Sequence, residues 1–149
     1  MYNPRIVGSG TVGYEFMDVT AGAAIAKNDF VVLKTDGQAE PVASGAPIYG
    51  IALNAASEAG DSIRVARAFK GMVVMIDADQ VGTTLTSAHV GGRVDITGAT
   101  GAQLVDSSTV AQVGDGTDTG ELLIKEVNPQ GYGFDSDASI LLCEIAEVQ

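Results

Sequence analysis

Tryptophan is absent from this sequence of 149 residues, and four tyrosines and four phenylalanines bring the aromatic share to only 5%. Histidine and cysteine each occur once. A single cysteine excludes an intrachain disulfide, and one histidine with one cysteine cannot fill a structural zinc site. An aromatic-lined cleft for a sugar substrate is also difficult to build from so few rings.

Basic residues are scarce as well: eight lysines and arginines stand against 19 aspartates and glutamates, which gives a net charge of −11. Such a surface repels phosphate groups, so nucleic acid and anionic membranes are poor partners. No apolar run approaches the roughly 18 residues of a membrane span. The N-terminus lacks the charged start and apolar core of a signal peptide. We therefore expect the protein to stay where it is made or to leave inside a particle.

Aliphatic residues and glycine are what the sequence has in abundance. Hydrophobic residues make up 46% of the chain, and most of the 19 glycines lie between short apolar runs. This rhythm indicates strand, turn and strand, and no long window has helical periodicity. We predict an all-β fold, a compact β-barrel or β-sandwich (β-tulip-like) of about ten short strands with little helix. The predicted domain covers residues 13–149, and residues 1–12 form an extended N-terminal arm that is loosely held.

Turn signals and alternating polarity place the strands along the chain. Asp36 and Gly37 are typical of a two-residue hairpin turn. A helical turn or a bend is expected at residues 21–27, and a helical turn is expected at residues 87–90. The predicted strands are residues 13–19, 30–33, 38–42, 48–53, 62–68, 72–76, 93–96, 103–105, 110–113, 121–127 and 139–148.

The predicted strand of residues 72–76 is apolar on both of its faces, and such a strand needs cover on both sides. Residues 30–33 and 140–143 share this character, and the sequence offers no long amphipathic helix as cover. The cover must come from a second sheet, as in a sandwich interior, or from another copy of the chain. We interpret the segment as the interface of a closed homo-oligomer. Its residues are Met72, Val73, Val74, Met75 and Ile76.

Few side chains are candidates for catalysis. His89 lies in a small turn with no nucleophile-elbow pattern nearby, and Cys143 lies in an apolar run that indicates a buried thiol. Residues 8–13 superficially resemble a dinucleotide-binding fingerprint, but a strand follows them where that motif needs a helix. We therefore predict no catalytic residue, no cofactor, no metal site and no enzymatic activity.

Two acidic groups could offer oxygen atoms to calcium. Asp115, Asp118 and Glu121 lie in or beside a glycine-rich loop, and Asp135 and Asp137 form a second pair. Neither group follows the spacing of an EF-hand loop, so solvated turns are the preferred interpretation. A carbohydrate- or calcium-binding β-module that uses residues 115–121 stays open as an alternative function.

Three segments between residues 24 and 97 carry a resemblance to a known family. They read AIAKNDFVVLKTDG, APIYGIALNAASEAGDSIRVARAFKGMVV and SAHVGGRVDIT, and together they cover about a third of the chain. In these segments the sequence resembles the capsid decoration proteins of tailed bacteriophages, which are also called cement or head-stabilising proteins. The section from Gly98 onward does not align with that family.

The resemblance implies a β-rich structural protein that forms a homotrimer on the outside of an icosahedral phage head. Members of the family bind the major capsid protein at three-fold and quasi-three-fold positions after the shell expands, and they brace the shell against packaged DNA. The expected location is the exterior of the virion, after synthesis in the host cytoplasm. Another virion part, such as a fibre, a tail component or a head-closure protein, remains an alternative.

The N-terminal arm is the segment that we expect to contact the shell. An extended arm of this kind can add a strand to the edge of a partner's sheet. The residues assigned to this capsid-binding arm are Tyr2, Asn3, Pro4, Arg5, Ile6 and Val7.

Overall fold

The computed structural model describes residues 5–8, 15–79, 81–110, 119–129 and 140–149. These residues form eleven short β-strands and two 3-10 turns, so the all-β prediction is confirmed. The strands are β1 (Arg5–Gly8), β2 (Phe16–Thr20), β3 (Phe30–Leu33), β4 (Ala39–Pro41), β5 (Gly50–Ala52), β6 (Ser62–Arg67), β7 (Val73–Asp77), β8 (Arg93–Thr97), β9 (Leu104–Asp106), β10 (Leu122–Val127) and β11 (Ile140–Ile145); the 3-10 turns are Ser87–His89 and Ser107–Thr109.

The strands are arranged in two antiparallel sheets. The six-stranded sheet has the order β1-β7-β11-β10-β8-β9, and the five-stranded sheet has the order β2-β6-β5-β3-β4. Strands that are consecutive in the chain pair directly at β3–β4, β5–β6, β8–β9 and β10–β11. The chain passes from the five-stranded to the six-stranded sheet between β6 and β7, close to Gly71.

The turn between β3 and β4 was predicted correctly in place but not in length. Lys34 donates its N–H to the carbonyl of Gln38 at 2.9 Å, and Gly37 donates to the carbonyl of Lys34 at 2.9 Å. The loop therefore has three residues rather than two, and Gly37 occupies the left-handed position that such a loop requires, with φ of 80°. The Asp36 side chain accepts the N–H of Gln38 and fixes the turn.

The five-stranded sheet curls into a half-barrel. The chain beyond β2 reaches round to β4, where Ala21 bridges Ala39 and the N–H of Gly22 donates to the carbonyl of Ala39 at 2.8 Å. Residues 21–27, where a helical turn or a bend was expected, contain a bend at Gly22 and Ala23 and are held by the isolated bridges of Ala21 and Ile25. The half-barrel encloses its own apolar cluster of Ala21, Ile25, Val31, Ala39, Tyr49, Ala52, Ala56, Ile63 and Val65.

A larger core fills the space between the half-barrel and the six-stranded sheet. Adjacent residues of β3 divide between the two cores: Phe30 lies in the larger core and Val31 lies inside the half-barrel, and both are fully buried. The apolar character of both faces of β3 is therefore satisfied within one chain. The largest buried side chains of the inter-sheet core are Phe30, Ile48, Ile51, Met72, Ile76, Ile96, Leu122, Ile124, Leu141 and Ile145.

Gly50 allows the paired strands β5 and β6 to approach each other closely. A Cβ atom at this position would lie 2.3 Å from Cγ1 of Val65 and 2.4 Å from the carbonyl oxygen of Ala66. No side chain fits at those distances, so the close approach of the two strands depends on glycine.

One further predicted strand differs from the structure, and one predicted helical turn is present. Val110 lies outside any strand, and residues 111–113 of the same predicted strand lie outside the described residues. The expected helical turn near residue 88 is present as the 3-10 turn Ser87–His89.

Candidate functional site

The predicted arm and the predicted oligomer interface lie side by side in the structure. β1 pairs antiparallel with β7, with Arg5 opposite Met75 and Ile6 opposite Val74, and the register shifts before Gly8. The arm thus adds a strand to the edge of its own sheet, where we had expected a loosely held segment. Of the predicted arm residues, Tyr2, Asn3 and Pro4 lie outside the described part of the chain.

The segment predicted as an oligomer interface is already covered in a single chain. Met72, Val74 and Ile76 point into the inter-sheet core and are fully buried, and Met75 on the opposite face is only 5% exposed. Val73 is half-buried and is the accessible member. A single chain therefore covers both faces of this strand without a partner. An oligomer interface along β7 stays a prediction, and it would involve Val73 and the edge of the strand.

A second strand, β2, presents apolar side chains to solvent. Phe16 is 51% exposed and Met17 is 38% exposed. Arg64 on the neighbouring strand lies with its guanidinium 6.0 Å from the centre of the Phe16 ring, and it forms an ion pair with Asp18 at 3.4 Å. The described residues of the predicted strand 13–19 agree with the expected alternation, because Phe16 and Asp18 share the face that Arg64 occupies, and neither face of β2 is fully buried.

β2 is the outermost strand of the five-stranded sheet in the described part of the chain. Arg67 donates to the carbonyl of Glu15, and Ala21 donates to the carbonyl of Asp61, each at 2.8 Å. Since the odd-numbered residues of β2 face β6, the backbone N–H and C=O groups of Asp18 point away from it. In the described part of the chain no strand lies along that side. Exposed edges of this kind are suited to strand addition.

The only histidine and the only cysteine have structural positions. His89 Nδ1 accepts a hydrogen bond from the N–H of Thr86 at 3.0 Å, and the Thr86 hydroxyl caps the turn by accepting from Ala88 at 3.3 Å. Cys143 lies fully buried in the inter-sheet core, and burial raises the pKa of its thiol far above the ordinary value. The Thr86 hydroxyl also lies 3.4 Å from His89 Nδ1, but that nitrogen already accepts the backbone N–H of Thr86.

The acidic residue Glu121 has a different environment from the one predicted. It was expected beside an exposed loop, as one of three potential calcium ligands, but its side chain is fully buried. One carboxylate oxygen, Oε2, accepts the N–H of Ile96 at 3.3 Å. Asp115, Asp118, Asp135 and Asp137 lie outside the described residues. Glu121 therefore belongs to the protein interior and not to an exposed ligand loop.

Two glutamine side chains that sequence reasoning missed hold the ends of β3. Gln103 is fully buried, accepts the N–H of Phe30 through Oε1 at 2.6 Å and donates through Nε2 to the carbonyl of Phe30 at 3.1 Å. Gln149 makes the same pair of bonds with Leu33, at 2.7 Å and 2.6 Å. Each amide both accepts from and donates to one backbone residue, as a residue of a paired strand would. Partners separated by 73 and 116 positions leave no local signal in the sequence.

The described residues contain no group of three or more histidine, cysteine, aspartate or glutamate side chains placed to hold a metal ion. No helix in the described part of the chain has the length and apolarity needed to cross a bilayer. In comparisons with known proteins, the chain matches no protein family and no curated sequence.

Proposed function

We propose that this chain is a structural protein of a tailed-bacteriophage virion, a decoration protein that binds the outside of the head at three-fold positions and stabilises the shell. The resemblance of three segments supports this assignment, and the two-sheet, all-β fold is of the type that the resemblance implies. The proposal includes synthesis in the host cytoplasm, a homotrimer, and the major capsid protein as partner. It assigns no enzymatic activity, cofactor or metal.

The observation that carries the proposal is the position of β1. Residues 5–8 pair with β7 through their backbones and form the outermost strand of the six-stranded sheet. A four-residue edge strand is held by few hydrogen bonds, and an exchange of one sheet edge for another replaces each bond that it breaks. We infer that the arm can leave β7 and add to an edge of the capsid protein.

Departure of the arm would also free the edge of β7. The strand Val73–Asp77 would then offer unpaired backbone groups, with the half-buried Val73 beside them, to a neighbouring copy. The predicted oligomer contact and the predicted shell contact are thus linked through one strand pair. Three linked subunits that engage the shell together gain avidity, because the second and third contacts form at a high effective concentration.

The arm is tested by deletion of residues 1–12. The binding partner in the assay is expanded, DNA-free heads made from the major capsid protein of the same virus, and binding is measured by co-sedimentation. We expect the deletion variant to fold, to remain an oligomer by light scattering, and to lose binding to the heads. Val81→Ser is the matched control, because Val81 is 65% exposed and lies near β9, at the opposite edge of the same sheet.

The outcomes separate the competing functions. Undiminished binding by the deletion variant would refute the role of the arm. If the wild-type chain does not bind expanded heads but binds another part of the virion, the result would favour the alternative that it is a fibre, tail or head-closure protein. A monodisperse monomer at high concentration would refute the trimer. In an oligomer, Val73→Ser and Phe16→Ser distinguish a contact along β7 from one along β2, since each removes the most accessible apolar side chain of its strand.

A further inference from the structure

Two acidic side chains meet where β10 begins. β10 and β8 pair antiparallel with Leu122 opposite Val94, which places Glu121 opposite Asp95 one position further along. Glu121 is fully buried, and Asp95 is half-buried. Like charges directly across a strand pair repel each other, and burial removes the water that would screen them.

The hydrogen bonds of Glu121 are incomplete when its carboxyl group is ionised. Oε2 accepts the N–H of Ile96 at 3.3 Å, whereas Oε1 is buried and has no hydrogen-bond partner in the described part of the chain. Two carboxylates are both acceptors and cannot bond to each other. A single proton on one of them supplies the missing donor, which removes both the repulsion and the unsatisfied oxygen.

The charged groups around the pair do not neutralise it. Asp106 on β9 lies opposite Asp95 and adds a further negative charge. Arg93 on β8 is engaged by the carbonyl of Gly120, at 2.7 Å, and by the carboxylate of Glu147, at 2.8 Å. Burial first, and then the hydrogen bond and charge of Asp95, raise the pKa of Glu121 to about 7, against the lowering effect of backbone N–H groups, including that of Gly45.

The same residue fastens the C-terminal segment. The carbonyl of Glu121 accepts the N–H of Ala146 at 2.8 Å and that of Glu147 at 3.4 Å. Residues 146–149 then lead to the half-barrel, where Ile48 donates to the carbonyl of Glu147 and Gln149 donates to the carbonyl of Ile48. Any displacement of Glu121 is therefore transmitted to the segment that joins the two sheets.

We propose that a proton on Glu121 forms a hydrogen bond to Asp95 and that this bond makes the contact between β8, β10 and residues 146–149 sensitive to pH. With the proton present, β8, β10 and residues 146–149 stay in contact. When the proton is lost, the buried negative charge of Glu121 faces the half-buried negative charge of Asp95, and the contact between β8, β10 and residues 146–149 loosens. The direction follows from linkage: the ordinary pKa of Glu121 is 4.5 and the folded value is about 7. The stabilisation is thus complete below about pH 4.5 and is lost as the pH rises through about 7.

The test is urea denaturation of the full chain at several values between about pH 5 and about pH 8. For the wild type we expect the folding equilibrium constant to fall roughly tenfold or more over this range. In Glu121→Gln the amide supplies the donor at every pH, so the decline should be largely abolished. Glu126→Gln is the matched control, because Glu126 is an exposed glutamate on the same strand and should leave the decline unchanged.

A second measurement keeps the proposal testable if Glu121→Gln does not fold. The side-chain carboxyl carbons of glutamate are titrated by NMR in the wild type and in Asp95→Asn. We expect one glutamate with a midpoint near 7 that moves down in Asp95→Asn. A highest glutamate midpoint below about 5 would overturn the proposal. So would stabilisation by about 1 mM calcium at high pH that Glu121→Gln abolishes, since the pair would then hold a cation instead of a proton.

Discussion

Gln103 and Phe30 form a closed pair of hydrogen bonds in which a side-chain amide takes the place of a strand. The N–H of Phe30 is 2.6 Å from Oε1 of Gln103, and the carbonyl of Phe30 also accepts from Val42 at 2.9 Å. The N–H has no such second partner. The buried end of β3 therefore depends on one glutamine from the six-stranded side of the molecule.

Replacement of this glutamine should be costly. In Gln103→Ala the buried N–H of Phe30 loses its acceptor and a cavity remains, so we expect a loss of about 2–3 kcal/mol in the free energy of unfolding. Urea denaturation measures this loss. Gln149→Ala is the control: Gln149 makes the same bonds with Leu33 but is exposed, so water replaces them and the loss should stay below about 1 kcal/mol. Equal losses in the two variants would contradict this account.

Gly50 should not tolerate a methyl group. The contacts of 2.3 Å and 2.4 Å that a Cβ would make with Val65 and Ala66 force β5 and β6 apart, and the second involves backbone. We expect Gly50→Ala to lower the free energy of unfolding by about 3 kcal/mol or more. Gly37→Ala is the comparison, since Gly37 has open space around it and only its φ of 80° is unfavourable; about 1 kcal/mol is expected there. Thermal unfolding of both variants decides the matter.

The thiol of Cys143 should be inert in the folded protein. Burial raises its pKa and excludes reagents, so a disulfide reagent such as Ellman's should react only after unfolding in urea. The variant Ser62→Cys, which adds a thiol at an exposed position on β6, provides the positive control. Rapid labelling of the wild type under native conditions would show that the inter-sheet core opens.

Asp61 should titrate below its ordinary pKa. Hydrogen bonds from the backbone and hydroxyl of Ser57 and from the backbone of Glu58 favour the ionised carboxylate, so its pKa lies below 3.8. The loop therefore keeps these bonds above about pH 3.8 and loses them as the pH falls through the lowered value. In Ser57→Ala the midpoint, followed by NMR of the carboxyl carbon, should rise part of the way toward 3.8. Ser44→Ala, at an exposed serine elsewhere, should leave it unchanged.

Local patterns in the sequence predicted the elements of the fold well. Asp36 and Gly37 marked the β3–β4 hairpin, and alternating or continuous apolar runs marked most strands to within a few residues. These signals are local, because turn chemistry and side-chain alternation depend on adjacent positions. The same information does not say which layer covers a strand, so the two apolar faces of β3 were counted as evidence for an oligomer although the half-barrel supplies the second face.

The features that define the candidate sites depend on partners distant in the chain. Glu121 is buried because β8 and residues 146–147 close over it, and Gln103 is important because β3 ends beside it. Neither relationship leaves a periodic trace. Glu121 lies at the boundary between a loop rich in glycine and aspartate and the predicted strand 121–127, and local composition does not say that its carboxyl group is buried there.

The course of residues 146–149 has a practical consequence for any shortened form of the protein. A chain that stops at residue 145 would retain all eleven strands yet lose the hydrogen bonds at Ile48 and Leu33 that join residues 146–149 to the half-barrel. Its spectroscopic β-content would look normal while the two halves became free to shift against each other. Truncation studies should therefore monitor the contact between the layers, because secondary structure alone would miss the damage.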